Sequence, residues 1–156
     1  MIKLTRIDDR LVHGQVAFTW TPALSADCLL IANDKVAKDE FMKMTLGLAK
    51  PAGTKLLIKT VKDAAVFLND EKSKNAKVLI LINSVKDAAA LAAEVPEITT
   101  INFGGLRSKE GSKLISKAIA VNDDDIAIIH KMLAKGLELE VRQVPTDNKQ
   151  LVESLI

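Results

Sequence analysis

The chain has 156 residues, 48% of them hydrophobic and 27% charged, and its 22 basic and 20 acidic side chains leave a net charge of +2. These values fit one folded domain over residues 1–156 and exclude a disordered chain; the even charge and 3% aromatic content also exclude a nucleic-acid partner. A single cysteine, Cys28, excludes an intramolecular disulfide, and no window reaches the roughly 20 apolar residues of a membrane span, so a cytoplasmic chain is expected.

The first apolar run, Ile2 to Ile7, is interrupted by Lys3 and Arg6, which makes it a strand rather than a leader core. Further strand candidates are Asp27 to Ala32, Lys55 to Lys59, Lys77 to Ile82 and Thr99 to Asn102, with a weaker one at Ala118 to Val121. The last candidate, Leu137 to Val144, alternates apolar and polar residues and reads as a half-solvated edge strand, a candidate for an antiparallel one. Helical spacing covers Gln15 to Thr21, Lys35 to Ala49, Val61 to Leu68, Val85 to Ala93, Asp123 to Lys135 and the tail from Asn148 to Leu155. Thr60 and Ser84 are placed as N-caps, and Gly136 as a helix stop. Ser108 to Ser116 carries no clear pattern. The alternation predicts an α/β fold: an open, mainly parallel sheet of about seven strands, helices on both faces and one antiparallel edge strand.

Such sheets bind ligands outside the carboxyl ends of their strands. The loops there are Asp8 to Gly14, Asn33-Asp34, Asn83-Ser84 and Asn102 to Arg107. The first is the richest. Asp8-Asp9-Arg10 follows the first strand and His13-Gly14-Gln15 opens a helix, whose free amides and dipole favour an anion. Arg10 adds a permanent cation with a planar fork of donors, and Gly14 allows close approach of backbone. Either Asp8 or Asp9 could accept a hydrogen bond from the imidazole or fix Arg10. A neutral imidazole is a competent nucleophile toward phosphorus, so the loop suits phosphoryl transfer.

Other residues read as structural. Cys28 is a small buried hydrophobe, His130 a helix-surface histidine, and Trp20 an anchor for the first helix. Asp123-Asp124-Asp125 complements a helix dipole and gives no metal site. The lysines at positions 35, 38, 43 and 50 form a solvated face or a docking surface for a negatively charged partner. Phe103-Gly104-Gly105 is expected at the rim of the site.

The segment Arg6-Ile7-Asp8-Asp9-Arg10-Leu11-Val12-His13-Gly14-Gln15-Val16, followed by Trp20, resembles the active-site loop of the IIB component of the mannose/fructose/sorbose family of the bacterial phosphoenolpyruvate-dependent sugar phosphotransferase system. Ala32-Asn33-Asp34, Ile101 to Gly105, Gly136 to Arg142 and Val144 to Asp147 carry the likeness along the whole chain. The resemblance implies that His13 takes a phosphoryl group on Nδ1 from the IIA phosphohistidine and passes it to a sugar entering through the membrane components IIC and IID. It matches Arg10 to the arginine that holds that group. Gly14 and Gln15 would bind the phosphoryl group alongside it, with Asp8, Asp9, Asn83, Ser84, Gly104 and Gly105 in support. It implies a stand-alone IIB enzyme, peripherally associated with its transporter and without cofactor or metal; self-association is left open, as is the sugar among mannose, fructose, sorbose and N-acetylgalactosamine. Because donor and acceptor must reach one imidazole, His13 is expected to be exposed on a convex or shallow surface, with no deep sugar pocket.

The rival reading is a flavodoxin-like binding or receiver-type module without transferase activity. A receiver needs an aspartate after the third strand and a lysine after the fifth, where this chain has Ile58-Lys59-Thr60 and Asn102. Neither a Gly-x-Gly-x-x-Gly nor a Walker glycine loop is present.

Overall fold

The computed structural model describes residues 1–156. Its main sheet contains β1 (Ile2–Asp8), β2 (Cys28–Ala32), β3 (Lys55–Lys59), β4 (Val78–Ile82) and β5 (Thr100–Gly105). After a separate two-stranded hairpin, β6 (Lys113–Ser116) and β7 (Ile119–Val121), it is completed by β8 (Glu138–Val141) and β9 (Gln150–Leu151). The seven strands lie in the order β3-β2-β4-β1-β5-β8-β9. Every pairing in this sheet is parallel except that of β8 with β9. Parallel strands need crossovers, and these are helical. The chain is helical from Gly14 to Leu24, where Val16–Trp20 is π-helical and α1 (Thr21–Leu24) completes the element. The others are α2 (Asp34–Ala37), α3 (Glu40–Leu48), α4 (Val61–Asn69), α5 (Val85–Glu94) and α6 (Asp123–Ala134).

The runs Cys28–Ala32 and Val78–Ile82 are buried at every position because the sheet is covered on both faces there. On one face, Ala64, Leu68, Ala88, Leu91, Ile129 and Met132 of α4, α5 and α6 join Ile7, Leu30, Ile80, Ile101 and Leu139 in the larger core. On the other, Val16, Trp20, Val36 and Leu46 pack on Leu29, Ile31, Leu79 and Leu81.

The predicted class stands, with corrections in detail. The Leu137 to Val144 candidate is not the antiparallel edge: β8 pairs parallel with β5 and lies second from the edge. Its alternation misleads because Glu140, only 2% exposed, faces a buried polar cluster rather than water. The antiparallel edge is β9, taken from the predicted tail helix, which is a two-residue strand followed by a 3-10 turn, Val152–Ser154. Ala118 to Val121 contributes β7, outside the main sheet and paired with β6 from the unassigned stretch. The Lys35 to Ala49 helix is broken at Lys38-Asp39. Asn33 caps α2 by accepting from the Val36 amide, and Asp39 caps α3 by accepting from the Met42 amide.

Candidate functional site

β1 ends at Asp8, and the chain turns back with the Leu11 amide donating to the Asp8 carbonyl at 2.9 Å. Leu11 adopts the left-handed region, φ 57°, which costs a branched residue energy that its burial in the smaller core offsets. The His13 carbonyl then accepts from the Ala17 amide at 2.9 Å, so His13 stands at the mouth of the first helix. The amides of Gly14, Gln15 and Val16 open that helix, at the pole where anions bind. Its π-helical turn is a local irregularity of a kind that recurs at functional sites.

The fully buried carboxylate of Asp8 organises the loop. Its Oδ2 accepts from His13 Nε2 at 2.8 Å and from Arg6 Nη2 at 3.2 Å. Its Oδ1 accepts from the Arg10 amide at 3.1 Å and lies 3.5 Å from Arg10 Nε. An ionised carboxylate only accepts, so Nε2 carries the ring proton and, in the neutral imidazole, Nδ1 keeps its lone pair. The alternatives left open between Asp8 and Asp9 therefore resolve: Asp8 does both jobs. Asp9 turns away and accepts from the backbone N–H and Nε of Arg107, at 2.8 and 3.1 Å.

Beneath Asp8 lies Arg6, which sequence reasoning did not single out. It has no solvent exposure, and its Nη1 donates to Asn102 Oδ1 at 2.8 Å and to the Arg142 carbonyl at 3.1 Å. Nη2 also donates to Gln15 Oε1 at 3.3 Å. The guanidinium stacks on Trp20, 5.3 Å from the ring centre, as does that of Arg142. Trp20 Nε1–H donates to the Gln143 carbonyl at 2.8 Å, so Trp20 is the packing anchor expected. Burial pushes the Arg6 guanidinium below its usual range and the adjacent Asp8 charge opposes that shift. A buried charge is tolerable only when paired and hydrogen-bonded, as here. The missed signal was parity: Arg6 and Asp8, two apart on a strand, share one face.

Gly104 and Gly105 sit on β5 under this cluster. A Cβ at Gly104 would land on the Arg6 guanidinium, and one at Gly105 would lie 3.3 Å from Asp8 Oδ1. Phe103 is fully buried in the larger core, so it is not a rim residue as expected. Ser84 caps α5 by accepting from the Asp87 amide at 3.2 Å, and neither it nor Asn83 hydrogen-bonds to His13. Both line a cavity of about 330 Å³ with Asp9, Arg107, Lys109 and Asp125, whose wall does not include His13. The His13 side chain is 15% exposed, less than expected, because its Nε2 edge is tucked against Asp8; Arg10 is 46% exposed. The lone thiol, Cys28, is buried, which pushes its pKa up, and His130 is exposed on α6. Asp125 completes a capping box with Asn122, which accounts for part of the acidic run.

Residues 2–156 match the family model described as the PTS system sorbose subfamily IIB component. A probable phosphotransferase enzyme IIB component of Streptococcus pyogenes serotype M6 is 37% identical, over 100% of this chain and 99% of its own. The mannose-specific EIIAB component of Escherichia coli K12 is 35% identical over 100% of this chain, which spans 48% of that longer protein. The crystal structure of the IIBSor domain of the Klebsiella pneumoniae sorbose permease superposes with a TM-score of 0.94 at 29% identity, covering 99% of this chain and 95% of that one. The chain therefore belongs to the sorbose-type IIB components of the sugar phosphotransferase system, phosphotransferases that work with IIA and the membrane components IIC and IID to phosphorylate a sugar.

Proposed function

We propose that His13 is the phosphoryl carrier of this IIB domain, residues 1–156, and that it carries the group on Nδ1. The observation behind this is the 2.8 Å contact of Nε2 with Asp8, which leaves Nδ1 as the free nucleophile. That lone pair attacks phosphorus of the phosphohistidine on IIA; the donor's P–N bond breaks as the new one forms, and the donor imidazole recovers its lone pair. Asp8 stabilises positive charge developing on the His13 ring. Arg10, with its side chain half in solvent, and the amides of Gly14 and Gln15 take up the phosphoryl oxygens. In the second step a sugar hydroxyl oxygen attacks the same phosphorus and releases its proton to water, the P–Nδ1 bond breaks, and its electron pair returns to His13 as the free Nδ1 lone pair.

The acceptor is a hexose of the mannose, fructose, sorbose or N-acetylgalactosamine class, held by the membrane components, and the domain works at the cytoplasmic face of that complex. No helix of the chain is long and apolar enough to cross a membrane. Labelling by phosphorylated IIA tests the reading. The product is expected to be lost in acid and stable in base, as a phosphoramidate is, and His13→Ala to take up no label. Arg10→Ala is expected to slow transfer tenfold or more, roughly the scale of losing one charge-stabilising donor, without lowering the melting temperature. Normal labelling of His13→Ala would overturn the proposal.

A further inference from the structure

Phe18 stands in solvent beside the histidine. It is 79% exposed, and a side chain built at Gly14, the residue next to His13, would come within 3.7 Å of its ring. Single exposed apolar residues are ordinary on protein surfaces. Phe18 is distinguished by its place. The chain has only five aromatic side chains, four Phe and one Trp; Trp20 and Phe103 are fully buried, and the other strongly exposed ring, Phe41 at 70%, lies on α3 and not on the helix that follows His13. Val16, Ala17 and Trp20 fasten the helix to the core, so Phe18 is left on the outer face without a packing role.

Phosphoryl transfer between two imidazoles needs the reacting atoms within about 3–3.5 Å. A protein that brings a phosphohistidine that close must cover the first helical turn after His13. Whatever occupies that turn enters the middle of the interface, where buried aromatic anchors contribute most to binding. Arg10 and Arg107, with side chains 46% and 75% exposed, leave cationic groups around the same loop, which draw a phosphorylated partner in.

We propose that Phe18 is the docking anchor for the phosphodonor protein, which presents an apolar recess beside its phosphohistidine to receive the ring. The proposal rests on the reading of His13 as phosphoryl acceptor. One aromatic anchor amid charged surroundings suits a partner that must leave after every transfer.

Phe18→Ser separates docking from chemistry when two donors are compared. With phosphorylated IIA, KM for the donor should rise by about tenfold or more, equivalent to about 1.4 kcal/mol, while kcat at saturation stays within about twofold. Phosphoramidate, a small donor whose P–N bond breaks to release ammonia, should label the variant and the wild type at equal rates. Phe18→Leu should recover most of the affinity, and neither change should move the melting temperature, since both are at the surface. An unchanged KM overturns the proposal. So does equal loss with both donors, which would make Phe18 part of the site's shape. Normal transfer from IIA with impaired delivery to sugar in the assembled system would assign the anchor to the acceptor side and also overturn it. A wild-type dimer converted to monomer by Phe18→Ser would assign the ring to contact with a second copy of this chain, and the donor anchor would again be lost. Failure of phosphoramidate to label wild-type His13 would instead count against the carrier role itself.

Discussion

Asp8 is a two-sided acceptor. One oxygen fixes the imidazole tautomer together with the Arg6 guanidinium, and the other pins the start of the Arg10 segment. The result is a histidine whose Nε2 is engaged by a buried group, which leaves Nδ1 for the proposed transfer. Gly104 is what leaves room for this arrangement, since any side chain there would displace the Arg6 guanidinium. Gly104→Ala is therefore expected to lower stability by about 1–3 kcal/mol, the range for overpacking a filled interior. It should also slow His13 labelling, because a displaced Arg6 loosens Asp8. Denaturation midpoints and labelling rates measured together check this; a variant normal in both would refute it. The residues of the proposed site were legible because they are contiguous: His13, Arg10, Gly14 and Gln15 lie within a single loop. The choice of Asp8 over Asp9 was not. It depends on which carboxylate is the last residue of β1 and which meets Arg107, and Arg107 arrives from the loop after β5, almost a hundred residues later in the chain.

The elements were legible where a strong period or a cap marked them. Val78–Ile82 and Val85–Glu94 satisfy both criteria, the second with Ser84 at its N-cap as predicted. Short elements failed for a physical reason: β9 has two residues, and its formation is decided by an available edge on β8 rather than by its own preference. The break between α2 and α3 had a readable signal in Asp39, a second N-cap within an apparently continuous pattern. A pH effect belongs to the same scale. In the first turn of α5, Asp87 has its pKa raised, first by burial and then by the charge of Asp34, with Lys86 and the Ser84 hydrogen bond opposing. The folded chain thus binds this proton more tightly than the unfolded one, so the site subtracts stability as pH rises through and above the carboxyl range. Asp87→Asn should raise the melting temperature at neutral pH. The gain should fade below about pH 4, where both states of the wild type are protonated. An equal gain at pH 3 and pH 7 would show that its origin is not ionisation.

Across the whole molecule, the parallel sheet sets the address of the site, because it gathers the carboxyl ends of β1, β4 and β5 at one end. That much followed from strand–helix alternation alone. The support beneath the site did not, because it is assembled from β1, β5 and the segment after β8. There Arg6 and Arg142 are balanced by Asp8 and Glu140 in an interior that sequence would assign to aliphatic residues. A cavity of about 520 Å³ lies between α5 and α6 near the amino ends of β5 and β8, away from this chemistry.

Trp20 links these scales through its light emission. It is the only tryptophan, the chain has no tyrosine, and the guanidinium groups of Arg6 and Arg142 each lie 5.3 Å from its ring centre. Nearby charge shifts the excited state of an indole, and Arg6 is one hydrogen bond from the carboxylate that grips His13. Phosphorylation of His13 should therefore change the intensity or colour of this single fluorophore, and His13→Ala should leave it silent. The protein would then carry its own optical meter, able to report each charging and discharging of the relay in real time without a radioactive label.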